Sequence, residues 1–580
     1  MVRCKFLALL CIGFILWFTV QPVEMSWCET DIRLTDVICV VALVAVVVFV
    51  WRKQQMSLSF IDIVVALWFA YVMLRTYVNP AYPCANFCLR TMQMFSLYMC
   101  VRLLFSSVRV SERMLVFAIL ICAIYEAVLG VGQIFNGSSR HYLYLLTGSF
   151  LNPGPYSAIL AMALVMALQW KKIIEDLPFF SSFSYIPIII FAILLPATWS
   201  RAALLATAIC AGIIYWNQWK RWRWWIFVGV ILVMTGLYFL KQGSADGRSI
   251  IYLISVLSIS HNPIWGSGIG SFCHQYAEEM AHFSSQHPTF NFLSADITSS
   301  AYNCLLQIGV EQGIIGSCFA LTLVVMMFVR LKKKGKTLGI GLLCLLIFSM
   351  FSYPFNQLPY QIIFVLIAAY AGTGEEKIAV LSTKWHKWSR SYLAPVAMLG
   401  SVTLLSVFIH QQVRERVKAE SDYRMMSGLT NAAFLNDYYE LLPLLRSNEY
   451  FLFDFSKILE KDGRYNDSNA MLRLGTLISC DPMFYVIQGN NYSKMGLYKE
   501  AKQAYQKAFH VMPNRLYPLY KLMLLYEKEG KKEKMYEMAW RVMTFNEKVV
   551  SPATKDMKRK AKKILDERCY AIQKKQSLPK

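Results

Sequence analysis

Long apolar segments alternate with short polar loops over the first four hundred residues of the chain. A helix that crosses a bilayer needs about 17–25 residues, most of them apolar. Thirteen segments reach or approach this length, near residues 5–20, 34–51, 59–77, 91–107, 114–135, 156–170, 184–199, 200–217, 224–240, 302–329, 337–353, 359–373 and 393–410. We interpret the first as a retained helix and not a cleaved signal peptide, because no small-residue cleavage site follows it. The pattern predicts an all-α fold, a polytopic membrane helix bundle of about 12–13 spans.

Basic residues recur in every second loop between these segments. Lys and Arg in short loops face the cytoplasm, so their alternation sets the orientation of the bundle. The alternation predicts that the segment 241–301 and everything after about residue 411 lie on the outer face. The basic loops contain Arg3, Lys5, Arg52, Lys53, Arg102, Arg109, Arg113, Lys171, Lys172, Lys220, Arg221, Arg223, Arg330, Lys332, Lys333, Lys334, Lys336, Lys377, Lys384, Lys387 and Arg390.

The last 170 or so residues have a different pattern, with many Lys, Glu and Tyr residues at helical spacing. Gly463, Gly496 and Gly530 are separated by 33 and 34 residues, and small residues follow the first two. This period resembles tetratricopeptide repeats, in which small residues let paired helices approach closely. The alternative is an irregular helical domain. The pattern predicts a soluble α-helical repeat domain after the bundle.

Composition supports a membrane protein and disfavours nucleic-acid binding. Of the 580 residues 56% are hydrophobic and 16% charged, whereas soluble chains carry about 25% charged residues. The formal charge of +23 falls largely in the short loops, where it determines topology. The 15 cysteines form no CxxC pair and no Cys/His cluster at zinc spacing, so we predict no metal and no cofactor. Cys28, Cys84 and Cys88 fall on the outer side, either as free thiols or with one disulfide among them.

The longest polar interruption within the apolar part runs from Lys241 to Gly316, and we predict that it covers an active site. Arg201 and Arg248 stand on the same predicted membrane face. Two guanidiniums suit a diphosphate, because each offers a planar fork of permanently charged donors. The alternative is that both arginines extend to the membrane interface without binding a ligand.

Several other residues of this region could carry chemistry. His261, His274, His282 and His287 lie in the outer loop, where each is either a general base or a surface residue. Glu311 and Glu126 are embedded in apolar runs, and Glu311 either faces a cavity as a buried acid or caps a helix. The glycines from Gly266 to Gly270 lack the spacing of a nucleotide-binding loop and predict a tight turn that folds the loop back.

Over roughly residues 114–373 the chain has an ordered set of motifs: Gly148-Ser149-Phe150-Leu151-Asn152-Pro153, Ser200-Arg201, Gly247-Arg248, Asn262-Pro263 with Gly266-Ser267-Gly268-Ile269-Gly270, Asn303-Cys304-Leu305-Leu306-Gln307 and Glu311-Gln312-Gly313-Ile314-Ile315-Gly316. Together these motifs resemble the O-antigen ligase and O-antigen polymerase superfamily. The resemblance implies a multi-spanning glycosyltransferase of the C type that moves a glycan from undecaprenyl diphosphate to an acceptor on the periplasmic face of the inner membrane.

The resemblance also implies roles for single residues. Arg201 and Arg248 match the arginines that engage the donor diphosphate. Where the family has a His-Asn motif whose histidine activates the acceptor, this chain has Tyr302-Asn303. A tyrosine of pKa about 10 is a poor base near neutrality. Either another group replaces the histidine, or the enzyme relies on positioning and leaving-group stabilisation. We predict a catalytic set of Tyr302, Asn303, Glu311 and His274, with His287 and Asp296 as further candidates for the base.

The predicted organisation has four parts: N-terminal helices at 1–113, a catalytic membrane core at 114–373, a cytoplasmic loop and last span at 374–410, and a periplasmic repeat domain at 411–580. The leading prediction is an O-antigen ligase-like transferase with a lipid A–core acceptor, in contact with membrane lipids and, through its repeats, a protein partner. A polymerase or a protein O-oligosaccharyltransferase differs only in the acceptor. A transporter of lipid-linked sugars and a structural anchor for the repeats are the alternatives from other classes.

Overall fold

The computed structural model describes residues 2–19, 27–52, 58–78, 85–108, 110–139, 141, 143–173, 185–221, 223–240, 242–374, 393–428 and 432–576. Within these residues the regular elements are helices, and no β-strand is present. The predicted all-α fold class is therefore confirmed. Lys53, Cys84, Arg109 and the basic part of the predicted cytoplasmic loop, 375–392, lie outside the described residues.

Each predicted apolar segment overlaps one helix of the structure, and several of the helix ends differ from the predicted ones by a few residues. The helices of this part are α1 (Val2–Thr19), α2 (Trp27–Arg52), α3 (Phe60–Val78), α4 (Ala85–Ser107), α5 (Glu112–Asn136), α6 (Pro153–Ile173), α7 (Tyr185–Ala197), α8 (Arg201–Ile214), α9 (Arg223–Leu240), α10 (Gln242–His261), α11 (Phe272–Gln286), α12 (Cys304–Lys334), α13 (Lys336–Ser349), α14 (Leu358–Gly372) and α15 (Leu393–Met426). Among the described residues, α3, α5 and α12 are long and apolar enough to cross a membrane, and α7, α8, α13 and α14 are shorter apolar helices.

The bundle is built around helices whose side chains are buried almost all the way round. The α6 residues from Tyr156 to Val165 and most of α14 lie in its core, whereas Val128, Ile193 and Leu232 are exposed. Apolar side chains on the outside of a helix bundle suit a lipid environment, where exposure to acyl chains costs nothing. An ion pair lies inside this core: Arg102 Nε is 3.0 Å from Asp62 Oδ1, and both side chains are buried.

The C-terminal part consists of α16 (Leu435–Leu445), α17 (Glu449–Lys461), α18 (Tyr465–Thr476), α19 (Met483–Lys494), α20 (Tyr498–Val511), α21 (Tyr517–Lys528), α22 (Lys532–Thr544) and α23 (Pro552–Gln576). The three regularly spaced glycines Gly463, Gly496 and Gly530 have φ of +80°, +77° and +72°, each in the turn between two helices. The period of about 34 residues is thus three successive helix pairs, α17–α18, α19–α20 and α21–α22. The assignment to tetratricopeptide repeats stays a prediction.

The segment from residue 242 to 303 is more regular than its polar sequence predicts, because it contains α10 and α11. It packs against the repeat domain, and the two share an apolar core that includes Tyr276 and Met280 on one side and Tyr505 and Met523 on the other. Of the cysteines predicted on the outer side, Cys88 has a free thiol. Only the helical backbone of Cys28 is described.

Candidate active site

Helix α12 is broken by a glycine, and the glycine-rich loop before α11 fills the break. Gly313 has φ +66° and ψ −161° within the helix, which leaves nearby backbone groups without helical partners. Ser267 N donates to Val310 O at 2.8 Å, Gly268 N to Glu311 O at 3.0 Å, and Ile314 N to Pro263 O at 2.8 Å. The predicted tight turn therefore folds back as expected, and it supplies the hydrogen bonds that the broken helix lacks.

We call the place where the loop around Gly266 lies against the break in α12 the crossing. Its two glycines, Gly266 and Gly313, are both sterically required. A Cβ on Gly313 would lie 2.3 Å from the carbonyl oxygen of Ile264, and one on Gly266 would lie 2.5 Å from Gln312 N. Both residues also have positive φ, which L side chains rarely adopt. The crossing therefore depends on glycine at 266 and at 313.

Helix α3 holds the crossing from the other side. Trp68 Nε1 donates to Gln312 Oε1 at 2.8 Å, and Tyr71 donates its hydroxyl to Gln312 O at 2.7 Å. Arg75 Nη2 donates to Gly266 O at 2.9 Å. These N-terminal residues were missed by the sequence analysis, because no local pattern links α3 to a loop some two hundred residues later.

Tyr302 and Asn303 form the sharp corner at which α12 begins. Asn303 caps the helix, because its Oδ1 accepts from Leu305 N at 3.0 Å and from Leu306 N at 3.1 Å. Tyr302 has φ +51°, and Tyr252 donates its hydroxyl to the Tyr302 carbonyl oxygen at 3.3 Å. Non-glycine residues with positive φ are uncommon and concentrate at functional sites.

Arg248 lies directly beside this corner. Its guanidinium stacks over the Tyr302 ring, with Cζ 5.2 Å from the ring centroid, and its Nη1 donates to Phe351 O at 2.8 Å. Arg201 starts α8 and lies close enough to Arg248 for the two positive charges to repel each other. The structure thus brings the two predicted diphosphate ligands together at one end of the bundle.

A cavity of about 610 Å³ opens beside Tyr302 and extends between α3, α4, α12 and α14. Most of its wall is apolar, with Trp68, Phe95 and Leu346 among the lining residues. Polar groups line it where α12 begins, namely Tyr302, Asn303, Gln307 and Glu311. An apolar pocket with a few converging polar groups is the usual form of a ligand site.

Glu311 is the buried acid of this cavity. Gln307 Nε2 donates to Glu311 Oε1 at 2.9 Å, and the backbone N–H groups of Gly270 and Phe272 also donate to the Glu311 carboxylate. Gln307 in turn accepts from Ala301 N at 2.9 Å through its Oε1. Of the two roles open to Glu311 in the sequence, the structure shows a buried acid that lines a cavity.

Comparison with protein families gives one match within this region. Residues 186–321 match the family model described as O-antigen ligase. This stretch of the chain is similar to O-antigen ligases. The match includes Arg201, Arg248, Tyr302, Asn303 and Glu311, so the resemblance to the superfamily is confirmed. The wider limits that we predict for the catalytic core, 114–373, stay a prediction. A search of curated proteins found no match.

Three of the four predicted catalytic residues line the cavity between α3, α4, α12 and α14, and His274 does not. His274 lies on α11 with Nδ1 2.9 Å from the carbonyl oxygen of Thr476 in the repeat domain. His287 is exposed and stacks on Phe283, at 4.3 Å between ring centroids. Asp296 pairs with Lys548 of the repeat domain at 2.9 Å. His274 and Asp296 therefore contact the repeat domain, and His287 lies on the surface at the end of α11.

The remaining histidines and the second embedded acid have structural contacts. His261 Nε2 lies 2.6 Å from Glu279 Oε2, and His282 Nδ1 is 3.9 Å from Glu279 Oε1. Glu126 is buried and accepts from Ser149 N at 2.9 Å, which fixes the Gly148-Ser149-Phe150 stretch of the ligase-like motif. Asn152 accepts from Gly154 N at 2.9 Å, as expected of a turn at a helix start.

Proposed function

We propose that this protein transfers a glycan from undecaprenyl diphosphate to an acceptor on the periplasmic face of the inner membrane, with lipid A–core as the favoured acceptor. The match of residues 186–321 supports an O-antigen ligase or polymerase type of glycosyltransferase. The observation that carries the proposal is the pairing of Arg201 and Arg248 beside an apolar cavity that is polar at one end.

The arginine pair indicates a binding site for an anion. A negative group bound between two guanidiniums relieves the repulsion between their charges. Neither arginine forms an ion pair with a carboxylate within the described part of the chain. A diphosphate supplies several oxygens that accept from both forks, and the arginines then stabilise the charge that develops on it as the glycosidic bond breaks.

The cavity suits the lipid part of such a donor. Its apolar wall between α3, α4, α12 and α14 matches the first isoprenoid units, which prefer an apolar surface to water. With the chain in the cavity and the diphosphate at the arginines, the anomeric carbon lies near the beginning of α12. Asn303 orients this helix start, and Tyr302 supports Arg248 through their stacked contact.

The acceptor hydroxyl loses a proton when it attacks the anomeric carbon. Burial raises the pKa of the Tyr302 phenol, against the opposing effect of Arg248, so the neutral phenol is a weak base. Glu311 is the carboxylate of the cavity, and three N–H donors hold it in one orientation. We therefore assign proton acceptance to Glu311, and to His274 a place in the contact with the repeat domain.

The test is glycan transfer by the purified protein in lipid vesicles with an undecaprenyl diphosphate glycan donor. We expect Arg201→Ala and Arg248→Ala each to lower kcat/KM by about 100-fold or more, the usual cost of one lost electrostatic contact to the reacting group. Arg330→Ala is the matched control, because Arg330 lies toward the opposite end of α12. Wild-type transfer by Arg248→Ala would contradict the diphosphate role.

The acceptor is tested in a deletion strain complemented with wild type or Arg248→Ala. Long glycan lost from lipid A, with undecaprenyl-linked polymer accumulating, identifies a ligase. A single repeat unit left on lipid A identifies a polymerase, and lost glycoproteins with unchanged lipopolysaccharide identify an oligosaccharyltransferase. Donor movement across vesicles without transfer to any acceptor would identify a transporter.

A further inference from the structure

The repeat domain is packed onto the segment that leads into Tyr302. Besides the shared apolar core, Glu278 of α11 forms an ion pair with Lys507 at 2.7 Å and accepts from the Tyr485 hydroxyl at 3.3 Å. Ser284 donates to the carbonyl oxygen of His510 at 2.7 Å. These contacts involve α11 and the second helix pair, so the repeat domain is docked and not freely tethered.

Asn514 makes the densest polar contact of this interface. Its Nδ2 lies 3.3 Å from Phe292 O, 3.1 Å from Leu293 O and 2.7 Å from Ala295 O, and the residue is 5% exposed. Lys548 Nζ reaches the same Ala295 carbonyl oxygen at 3.1 Å. Since three carbonyl groups of one turn converge on a single amide, that turn is fixed relative to the repeat domain.

A series of hydrogen bonds connects this turn to residues that line the cavity. Cys480 of the repeat domain donates from its thiol to Thr298 O at 3.1 Å, and Thr298 Oγ1 donates to Ser300 O at 2.6 Å. Ala301 N then donates to Gln307 Oε1 at 2.9 Å, and Gln307 Nε2 donates to Glu311. The stretch from residue 292 to 301 thus joins the repeat domain to the residues that line the cavity.

We propose that Asn514 is a positioning residue of the transferase, through which the docked repeat domain holds segment 292–301 and thereby Tyr302, Gln307 and Glu311 in place. This inference rests on the proposed function. It makes the repeat domain a part of the active site, whatever else that domain binds.

A matched pair of variants isolates this role from general stability. Asn514→Asp keeps the side-chain shape and removes the donor to the loop. Asn491→Asp does the same at an equally buried asparagine, whose Nδ2 donates to Ser468 Oγ at 2.8 Å and Asn469 Oδ1 at 2.9 Å inside the repeat domain. Both changes place a carboxylate against acceptors, but only Asn514 contacts the segment.

The rate at which the Cys480 thiol is labelled reports docking of the repeat domain independently of catalysis. This residue is 3% exposed in the docked structure, and burial raises the pKa of its thiol to about 12, so it reacts slowly with a maleimide. Mass spectrometry of Cys480 labelling therefore reports undocking in the full-length protein without reference to catalysis.

We expect Asn514→Asp to speed Cys480 labelling and to lower kcat about tenfold or more with the donor KM unchanged, because displacements of about 1 Å near the reacting groups can cost a hundredfold. Asn491→Asp should keep kcat within about twofold of wild type. Wild-type kcat in Asn514→Asp, or equal losses of kcat in both variants, would overturn the inference.

Two variants of surface lysines test the same inference if the Asn514→Asp protein does not accumulate in cells. Lys548→Ala removes a partly exposed contact to Ala295 and Asp296, and Lys494→Ala removes the Glu460 pair within the repeat domain. Faster Cys480 labelling and lower kcat in Lys548→Ala alone support the inference, and equal values in both variants overturn it. Failure of the proposed function is a separate result, since it appears as wild-type transfer by Arg248→Ala.

Discussion

In the repeat domain, glycines at positive φ stand between two helices, whereas in the membrane bundle Gly313 stands inside one. A Cβ at Gly463, Gly496 or Gly530 would meet no heavy atom within 4 Å, so these glycines serve only the backbone angle. Gly313 is needed both for its positive φ and for its lack of a Cβ atom, because the loop around Gly266 lies against it. The same backbone angle ends helices in one region and builds a site in the other.

Two individual carboxylates, one from each region, are also held differently. In the repeat domain Glu460 pairs with Lys494 at 3.0 Å near the surface. In the bundle Glu311 is buried without an ion pair within the described residues and accepts only N–H groups. A surface pair contributes little to stability, whereas a buried carboxylate that lines a cavity is a candidate for chemistry.

The largest expected effect is that of Gly313→Ala compared with Gly496→Ala. The first should abolish detectable glycan transfer, because its Cβ would collide with the Ile264 carbonyl group and displace the crossing that places Glu311. The second should cost only about 1–2 kcal/mol of repeat-domain stability, the usual penalty of a left-handed residue. Transfer assays and thermal denaturation check both, and an active Gly313→Ala would show that the crossing does not determine the site.

The next effect is that of Glu311→Gln compared with Glu460→Gln. A lost general base typically lowers the rate by about 100-fold to 10,000-fold. We therefore expect kcat of Glu311→Gln to fall by at least about 100-fold with the donor KM unchanged, and Glu460→Gln to behave as wild type. If Glu311→Gln keeps its rate, catalysis rests on positioning and on the arginines alone.

The smallest effect concerns pH at the interface between the two regions. Burial, with help from the charge of Arg541, lowers the pKa of His510 beside Ser284. The pKa of this histidine is lower in the docked state than in the undocked state of the repeat domain. Well above about pH 6.5, the ordinary pKa of histidine, it is neutral in both states. As the pH falls below this value, the undocked state takes up the proton more readily, so docking weakens.

The measurement for His510 is the ratio of Cys480 labelling rates in wild type and His510→Asn, which removes the intrinsic pH dependence of the thiol. This ratio should rise between pH 7.5 and about pH 5.5. A constant ratio would show that His510 does not couple protonation to docking.

Much of the fold could be predicted because its signals are local. Apolar segments of membrane-spanning length and the 33- and 34-residue spacing of three glycines are properties of consecutive residues, and both correspond to helices and helix turns in the structure. The two arginines could be placed on one face for the same reason. The roles of His274 and Gln307 could not, because each depends on a partner brought near by folding.

The sequence by itself determined that this is an all-helical membrane protein with a stretch similar to O-antigen ligases, since hydrophobic length and ordered motifs need no tertiary contacts to be recognised. Only the tertiary structure decided that the glycine-rich loop completes a broken helix, that α3 supports it, and that His274 contacts the repeat domain. These features join residues far apart in the chain, and hydrogen bonds and packing between such residues leave no periodic trace in the sequence.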